Sequence, residues 1–305
     1  MRVMNRQRVA ASGCETRSTT RPAREGVRWV TPEACSGSRC KRDVWQRGLL
    51  AGKKRECYTL FVPAKQAASD PEDYLRKAMA ARSARSRAMY ARRGLAARST
   101  LDRTTHAMLL RQLYLSLYEG RHFRKAHTVA LQALELDVLP DVLNQDAARA
   151  ALASGDLDAA LAHLRAAARR GPASRRPFHL WTLGSTLFLA QRYGEAMAAL
   201  RRAARWGTKD RPLYRAHLAL SRIAAGEKVG DLQDTINALA EAPCGQGYGR
   251  FVLGHLAYAA GEWNAARRYL DAFVKRTGAS RPALGIALEG EVRMARATLS
   301  KMTAN

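Results

Sequence analysis

Between residues 141 and 174 the apolar positions follow a helical rhythm. Leu157, Ala160, Leu164 and Ala167 recur at spacings of three and four, which places them on one face of a helix. An Ala-rich run from about Val142 to Ser154 precedes them, Gly155 separates the two, and Gly171-Pro172 ends the second. The segment predicts a helical hairpin in which Asp156 caps the second helix. The small Ala160 lies where the helices cross, because a bulkier side chain there would hold the backbones apart. The same signal recurs along the chain. Gly155 to Ala160, Gln191 to Ala196 and Gly261 to Ala266 share one five-residue spacing, and Gly120 to Ala126 repeats it with one residue more in the turn. A weaker copy runs from Gly226 to Leu239, where Gly226-Glu227-Lys228-Val229-Gly230 replaces a tight turn and predicts a longer connection. Self-similarity at a period near 35 residues predicts stacked helical hairpins.

Upstream the pattern differs. Residues 1–70 show no sustained period and are interrupted by Gly13, Pro22, Gly26, Pro32, Gly37, Gly48, Gly52 and Pro63, which predicts a mostly disordered basic arm. Tyr58 to Val62 is the one strand-like run, and it has no neighbour to pair with. The change in composition is sharp enough to make Met79 or Met89 an alternative start of translation. Ser69-Asp70-Pro71-Glu72 opens the first expected helix, from Tyr74 to about Arg93, with Gly94 ending it. Its cations, Arg76, Lys77, Arg82, Arg85, Arg87, Arg92 and Arg93, are spread around the circumference, so residues 71–100 predict a solvated basic linker helix. Pro282 to Met302 predicts a final helix that shields the last hairpin.

Two copies carry a fuller motif: Leu183-Gly184, Tyr193, Ala196, Leu200 and Ala203, then Leu253-Gly254, Gly261, Trp263, Ala266, Leu270 and Phe273. This arrangement resembles the tetratricopeptide repeat over residues 104–280. The resemblance implies an all-α fold, a right-handed solenoid of about five hairpins spanning residues 101–302 with a C-terminal capping helix. It also implies a protein-interaction role through a concave groove lined by the first helix of each hairpin. Trp181 stands one residue closer to Leu183 than the family's tryptophan does. Thr208 and Gly278 occupy two places where the family often has proline.

Projected onto each copy, the first-helix faces group Arg111 with Leu115 and Tyr118, and Gln145 with Arg149. Trp181 falls with Ser185 and Phe188, Arg215 with Arg222, and Tyr248 with Phe251, His255 and Tyr258. Such a groove, rich in arginines and aromatics, suits an acidic peptide with apolar anchors. Packing between hairpins competes for the same aromatics, most directly for Phe188 and Phe251. The paired Lys and Asn with which some members of the family clamp a terminal carboxylate are not found here.

Charge adds a second expectation. The formal net charge is +26, and the first 100 residues hold 23 Lys+Arg against 8 Asp+Glu. Nonspecific phosphate contacts from the arm would make nucleic acid a second partner class. Arg outnumbers Lys 42 to 10 beside abundant Ala, which a coding sequence rich in G and C explains equally well. The five cysteines do not form the framework of a small secreted domain, so a reducing cytoplasm is the expected location. No run of apolar residues is long enough to span a bilayer. Cys14, Cys35, Cys40 and Cys57 have irregular intervals for zinc, the seven histidines form no His-Glu-x-x-His pair, and Gly245 to Gly249 follows no strand. The sequence nominates no catalytic residue, cofactor or metal.

Overall fold

The computed structural model describes residues 70–97 and 101–304. The expected arm, its strand-like run and its cysteines lie outside the described residues. What is described is all-α. The helices are α1 (Pro71–Ala80), α2 (Ala84–Ala96), α3 (Arg103–Glu119), α4 (Phe123–Glu135), α5 (Pro140–Ala153), α6 (Leu157–Arg170) and α7 (Arg176–Leu189). They continue with α8 (Tyr193–Trp206), α9 (Arg211–Ala224), α10 (Leu232–Glu241), α11 (Gly249–Ala259), α12 (Trp263–Gly278), α13 (Pro282–Ala287) and α14 (Glu289–Ala304). From α1 to α12 each helix packs on the next, as in a helical-repeat solenoid. The odd-numbered helices also touch one another, α1 with α3, α3 with α5, α7 with α9 and α9 with α11, and side-chain hydrogen bonds from Asp141 and Gln145 of α5 to His179 of α7 complete an inner row.

Each hairpin from α3 to α12 turns in the same way. One residue adopts left-handed backbone: Arg121, Gly155, Gln191, Gly226 and Gly261, with φ of 58°, 87°, 60°, 84° and 80°. The next residue's amide donates to a carbonyl five residues back, His122 to Leu117, Asp156 to Ala151, Arg192 to Leu187, Glu227 to Arg222 and Glu262 to Ala257, at 2.8–2.9 Å. These are Schellman closures, which satisfy carbonyls that the end of a helix leaves without partners. The left-handed residue corrects one register. The first hairpin has no extra turn residue, because its special position is Arg121, five before Ala126, and not Gly120. Ala126, Ala160, Ala196 and Ala266 are all fully buried at the crossings. A side chain in left-handed backbone costs roughly 1–2 kcal/mol that glycine avoids. Gln191→Gly is therefore expected to raise stability by about 1 kcal/mol, read as a higher urea midpoint at unchanged slope.

Two expected helices are each divided in the structure. The basic segment after Asp70 forms two helices, because the chain is extended at Ala81 and Ser83 and the Ser83 hydroxyl accepts from the Ser86 amide at 3.1 Å. This added hairpin is no solvated linker. A Cβ on Gly94 would stand 2.8 Å from the Leu109 methyls, Arg87 pairs with Glu119 at 2.6 Å, and the Ser116 hydroxyl donates to the Ala84 carbonyl at 2.5 Å. At the other end, Leu288 separates α13 from α14. Helix α14 packs on α11 and α12, as a shield of the last hairpin would. Helix α13 instead returns to α3 and α5, where Ala283 and Ile286 join the core around Tyr114 and Tyr118.

The fourth hairpin is the irregular one. Five residues separate Gly226 from the start of α10, against one in the other turns. The crossing position falls out of step, and Ile236 and Leu239 are the buried residues of α10. A cleft of about 560 Å3 opens between α9 and α10.

Candidate partner-binding site

The inner row is held together by two buried carboxylates. Asp146 on α5, 1% exposed, receives Arg111 Nε of α3 at 2.6 Å and Arg149 Nη1 at 3.2 Å. Asp141, one turn earlier, meets Arg175 through both oxygens, at 2.8 and 3.0 Å, and accepts from His179 Nε2 at 2.8 Å. Gln145 Nε2 lies 2.9 Å from His179 Nδ1 and 3.3 Å from the Thr182 hydroxyl. The network needs a neutral imidazole that donates from Nε2 and accepts at Nδ1. Burial lowers the His179 pKa against the pull of Asp141, consistent with that form. Burial alone would raise the Asp141 carboxyl. The His179 hydrogen bond and the Arg175 charge outweigh it and bring the carboxyl below its usual range. Arg111 and the buried Gln145 therefore link repeats, Arg149 pairs within its own helix, and both arginines keep part of their surface exposed.

Trp181 and Ser185, expected on one face, both meet Tyr248, expected on another, and the three are packed together. The Trp181 ring stands edge-on to Tyr248 at 4.8 Å between centroids and adjoins Tyr214 and His217. Phe188 and Phe251 are core residues, 2% and 0% exposed. His255 is buried against Phe251 at 4.7 Å. Tyr258 stays half-exposed, edge-on to the exposed Trp263 at 5.3 Å, while Trp181 and Tyr248 are partly buried. Tyr118 is buried, and burial together with Glu289 pushes its hydroxyl up to about 12.

Arg215 and Arg222 are not part of the inner row. Both line the cleft between α9 and α10, and Arg222 Nε is paired with Glu227 at 2.8 Å. Counting back ten residues from each left-handed turn residue gives Arg111, Gln145, Trp181, Ala216 and Phe251 as equivalents. Arg215 is thus one residue off that register, which is about 100° around a helix.

Part of the inner face, around Ser185, Leu189 and Tyr248, is covered by the chain's own C-terminal segment. A Cβ on Gly290 would lie 3.3 Å from the Leu189 methyl, and Arg121 reaches Glu289 at 3.6 Å. The Tyr248 hydroxyl donates to Glu291 Oε1 at 3.3 Å and lies 2.6 Å from the Ser185 hydroxyl. Glu291 is 5% exposed, and burial pushes its carboxyl up to about 7. Projection of the repeat could not have found Glu291, since nothing in a period of 35 residues says that residue 291 returns to residue 185.

Among the described residues, no three His, Cys, Asp or Glu side chains are grouped as a closed metal site requires, and no helix is long and apolar enough to cross a membrane. No protein-family model matches the chain, and no curated protein does.

Proposed function

We propose that the chain is a non-enzymatic scaffold of the tetratricopeptide type that binds a peptide or protein partner. The observation that carries this reading is the fivefold recurrence of one turn geometry over a row of touching first helices. Among the predicted groove residues, Arg111, Arg149 and Tyr258 keep solvent-accessible surface on the inner row, and they favour an acidic partner with an apolar anchor. The reading is tested by comparing the partners captured by the full chain with those captured by an Arg149→Ala/Tyr258→Ala variant of equal thermal stability. Loss of specific partners is expected, and an unchanged set would count against the inner row.

The charge of the first 100 residues favours a second reading, in which the arm adds nonspecific phosphate contacts. Deleting residues 1–69 should then abolish salt-sensitive binding to duplex DNA and leave the captured proteins unchanged. Equal DNA binding with and without the arm would refute that role for it.

A further inference from the structure

We propose that His127 and His163 form a site for one divalent transition-metal ion, with zinc as the reference. The site lies outside the scaffold reading and does not depend on it. His127 is on α4 and His163 on α6, the second helices of consecutive hairpins. They are 36 residues apart, about one repeat, so the stacking of hairpins brings together a pair that no local motif displays. Both rings are half-buried, and their Nε2 atoms stand 3.5 Å apart.

The placement of protons around the pair follows from Asn144 of α5, which is buried. Its Nδ2 donates to the Pro140 carbonyl at 2.7 Å, which fixes the orientation of the amide and leaves Oδ1 as the acceptor. Oδ1 lies 3.0 Å from His163 Nδ1, so that nitrogen carries the proton. In the neutral ring Nε2 then bears a lone pair, and it faces His127. The ring centres are 5.5 Å apart, 2.0 Å more than the two nitrogens, so each ring turns its Nε2 toward the other.

Distance separates two readings of that gap. An N–H donor ordinarily sits about 2.7–3.2 Å from its acceptor, and the pair is farther apart than that. An ion bound to both nitrogens at about 2.05 Å would see them at an angle of about 117°, near the tetrahedral value. Asn144 Oδ1 holds the far nitrogen of His163, as an outer acceptor does for a ligating histidine by fixing its tautomer and ring orientation. The carboxylate of Asp156 acts on the same ring and favours positive charge beside it. Among the described residues no third His, Cys, Asp or Glu joins the pair, so two positions of a tetrahedral shell stay open for water or a donor from another molecule. Imidazole nitrogens suit zinc, copper and nickel, whereas magnesium and calcium call for oxygen ligands.

The probe is zinc chloride, titrated into the full chain at about pH 7.5, where the rings are neutral. Occupancy is read with diethyl pyrocarbonate, which acylates a free imidazole nitrogen, each histidine being followed separately by peptide mass spectrometry. Saturating zinc should all but stop the acylation of His127 and His163, and the two rings should share one midpoint. The exposed His122 is the control and should react at an unchanged rate. His127→Ala should move the midpoint for protection of His163 upward about tenfold or more. His163→Ala, read at His127, should do the same, so the test stands if one of the two variants fails its thermal melt. No protection of either ring at about 1 mM zinc, separate midpoints for the two rings, or an unchanged midpoint for His163 in folded His127→Ala would each overturn the proposal. Zinc taken up by cysteines alone would leave both rings reactive and count as the first of these.

Discussion

Gly254→Val is expected to destabilise the protein by about 3 kcal/mol and to loosen the last hairpin before the rest. The glycine is inside α11, where it costs about 1 kcal/mol in helix propensity relative to alanine, so its presence requires a compensating contact. That contact is the closest helix approach of the hairpin: a Cβ at residue 254 would stand 2.5 Å from both Cγ and Cδ2 of Leu270 and 3.3 Å from its backbone nitrogen. Leu270 is fully buried on α12 and has no free space to move into. Gly184 meets Leu200 in the same way at 2.6 Å, so the two positions are equivalent members of one repeat. Valine adds two methyls with a stiff χ1 to the clash. Gly194→Ala is the control, since a Cβ there meets nothing within 4 Å. It should be neutral or stabilise by up to about 1 kcal/mol. Urea unfolding at constant pH separates the two, and equal effects at residues 254 and 194 would remove the crossing argument.

That contrast shows what the sequence makes legible. Leu-Gly in the first helix and Ala five residues after the turn encode local packing within one hairpin, and Ala126, Ala160, Ala196 and Ala266 all proved to be crossings. The break at Ala81 to Ser83 was less visible, because no glycine or proline marks it. A serine cap and the contact of Gly94 with Leu109, fifteen residues away, decide it. Arg215 and Arg222 were misplaced by a different cause. The turn at Gly226 sets the register of α9 as in the other hairpins, but the longer connection after it puts the crossing position out of step and leaves nothing to align the copy on, and a one-residue error carries a side chain to another face. The groove itself was legible only as a row of first helices. Its covering by α13 and α14 is a contact between distant parts of the chain, on which a repeat period is silent. Trp181 and Tyr248, assigned to separate faces, come together as packing around a buried histidine.

His217→Leu should stabilise the protein by about 2 kcal/mol at pH 7.5, and the gain should grow on acidification. His217 is fully buried between the rings of Trp181, Phe188 and Tyr248, and neither ring nitrogen has a hydrogen-bond partner among the described residues. Leucine has a similar volume and no polar atom to leave unpaired. Burial, with His255 nearby, lowers the His217 pKa from 6.5 to about 3. The folded chain therefore refuses a proton that the unfolded chain takes up below pH 6.5. The stability contributed by the neutral ring is fully present above pH 6.5 and is lost as pH falls toward 3. His255, lowered by burial to about 4, acts in the same direction. Glu291 acts oppositely: burial raises it from 4.5 to about 7, so its contribution is present below pH 4.5 and is lost as pH rises through 7. Between pH 6.5 and 4.5 His217 and His255 thus lose stability while Glu291 gains it, a net loss of about 1.4 kcal/mol per pH unit from these three groups. With His217 removed, the contributions of His255 and Glu291 nearly cancel over that window. Subtracting the two stability profiles removes every group they share and isolates His217. The difference should rise from about 2 kcal/mol at pH 7.5 to about 5 kcal/mol at pH 4.5. A difference that stays constant with pH would mean that the buried ring is protonated as readily in the folded chain as in the unfolded one.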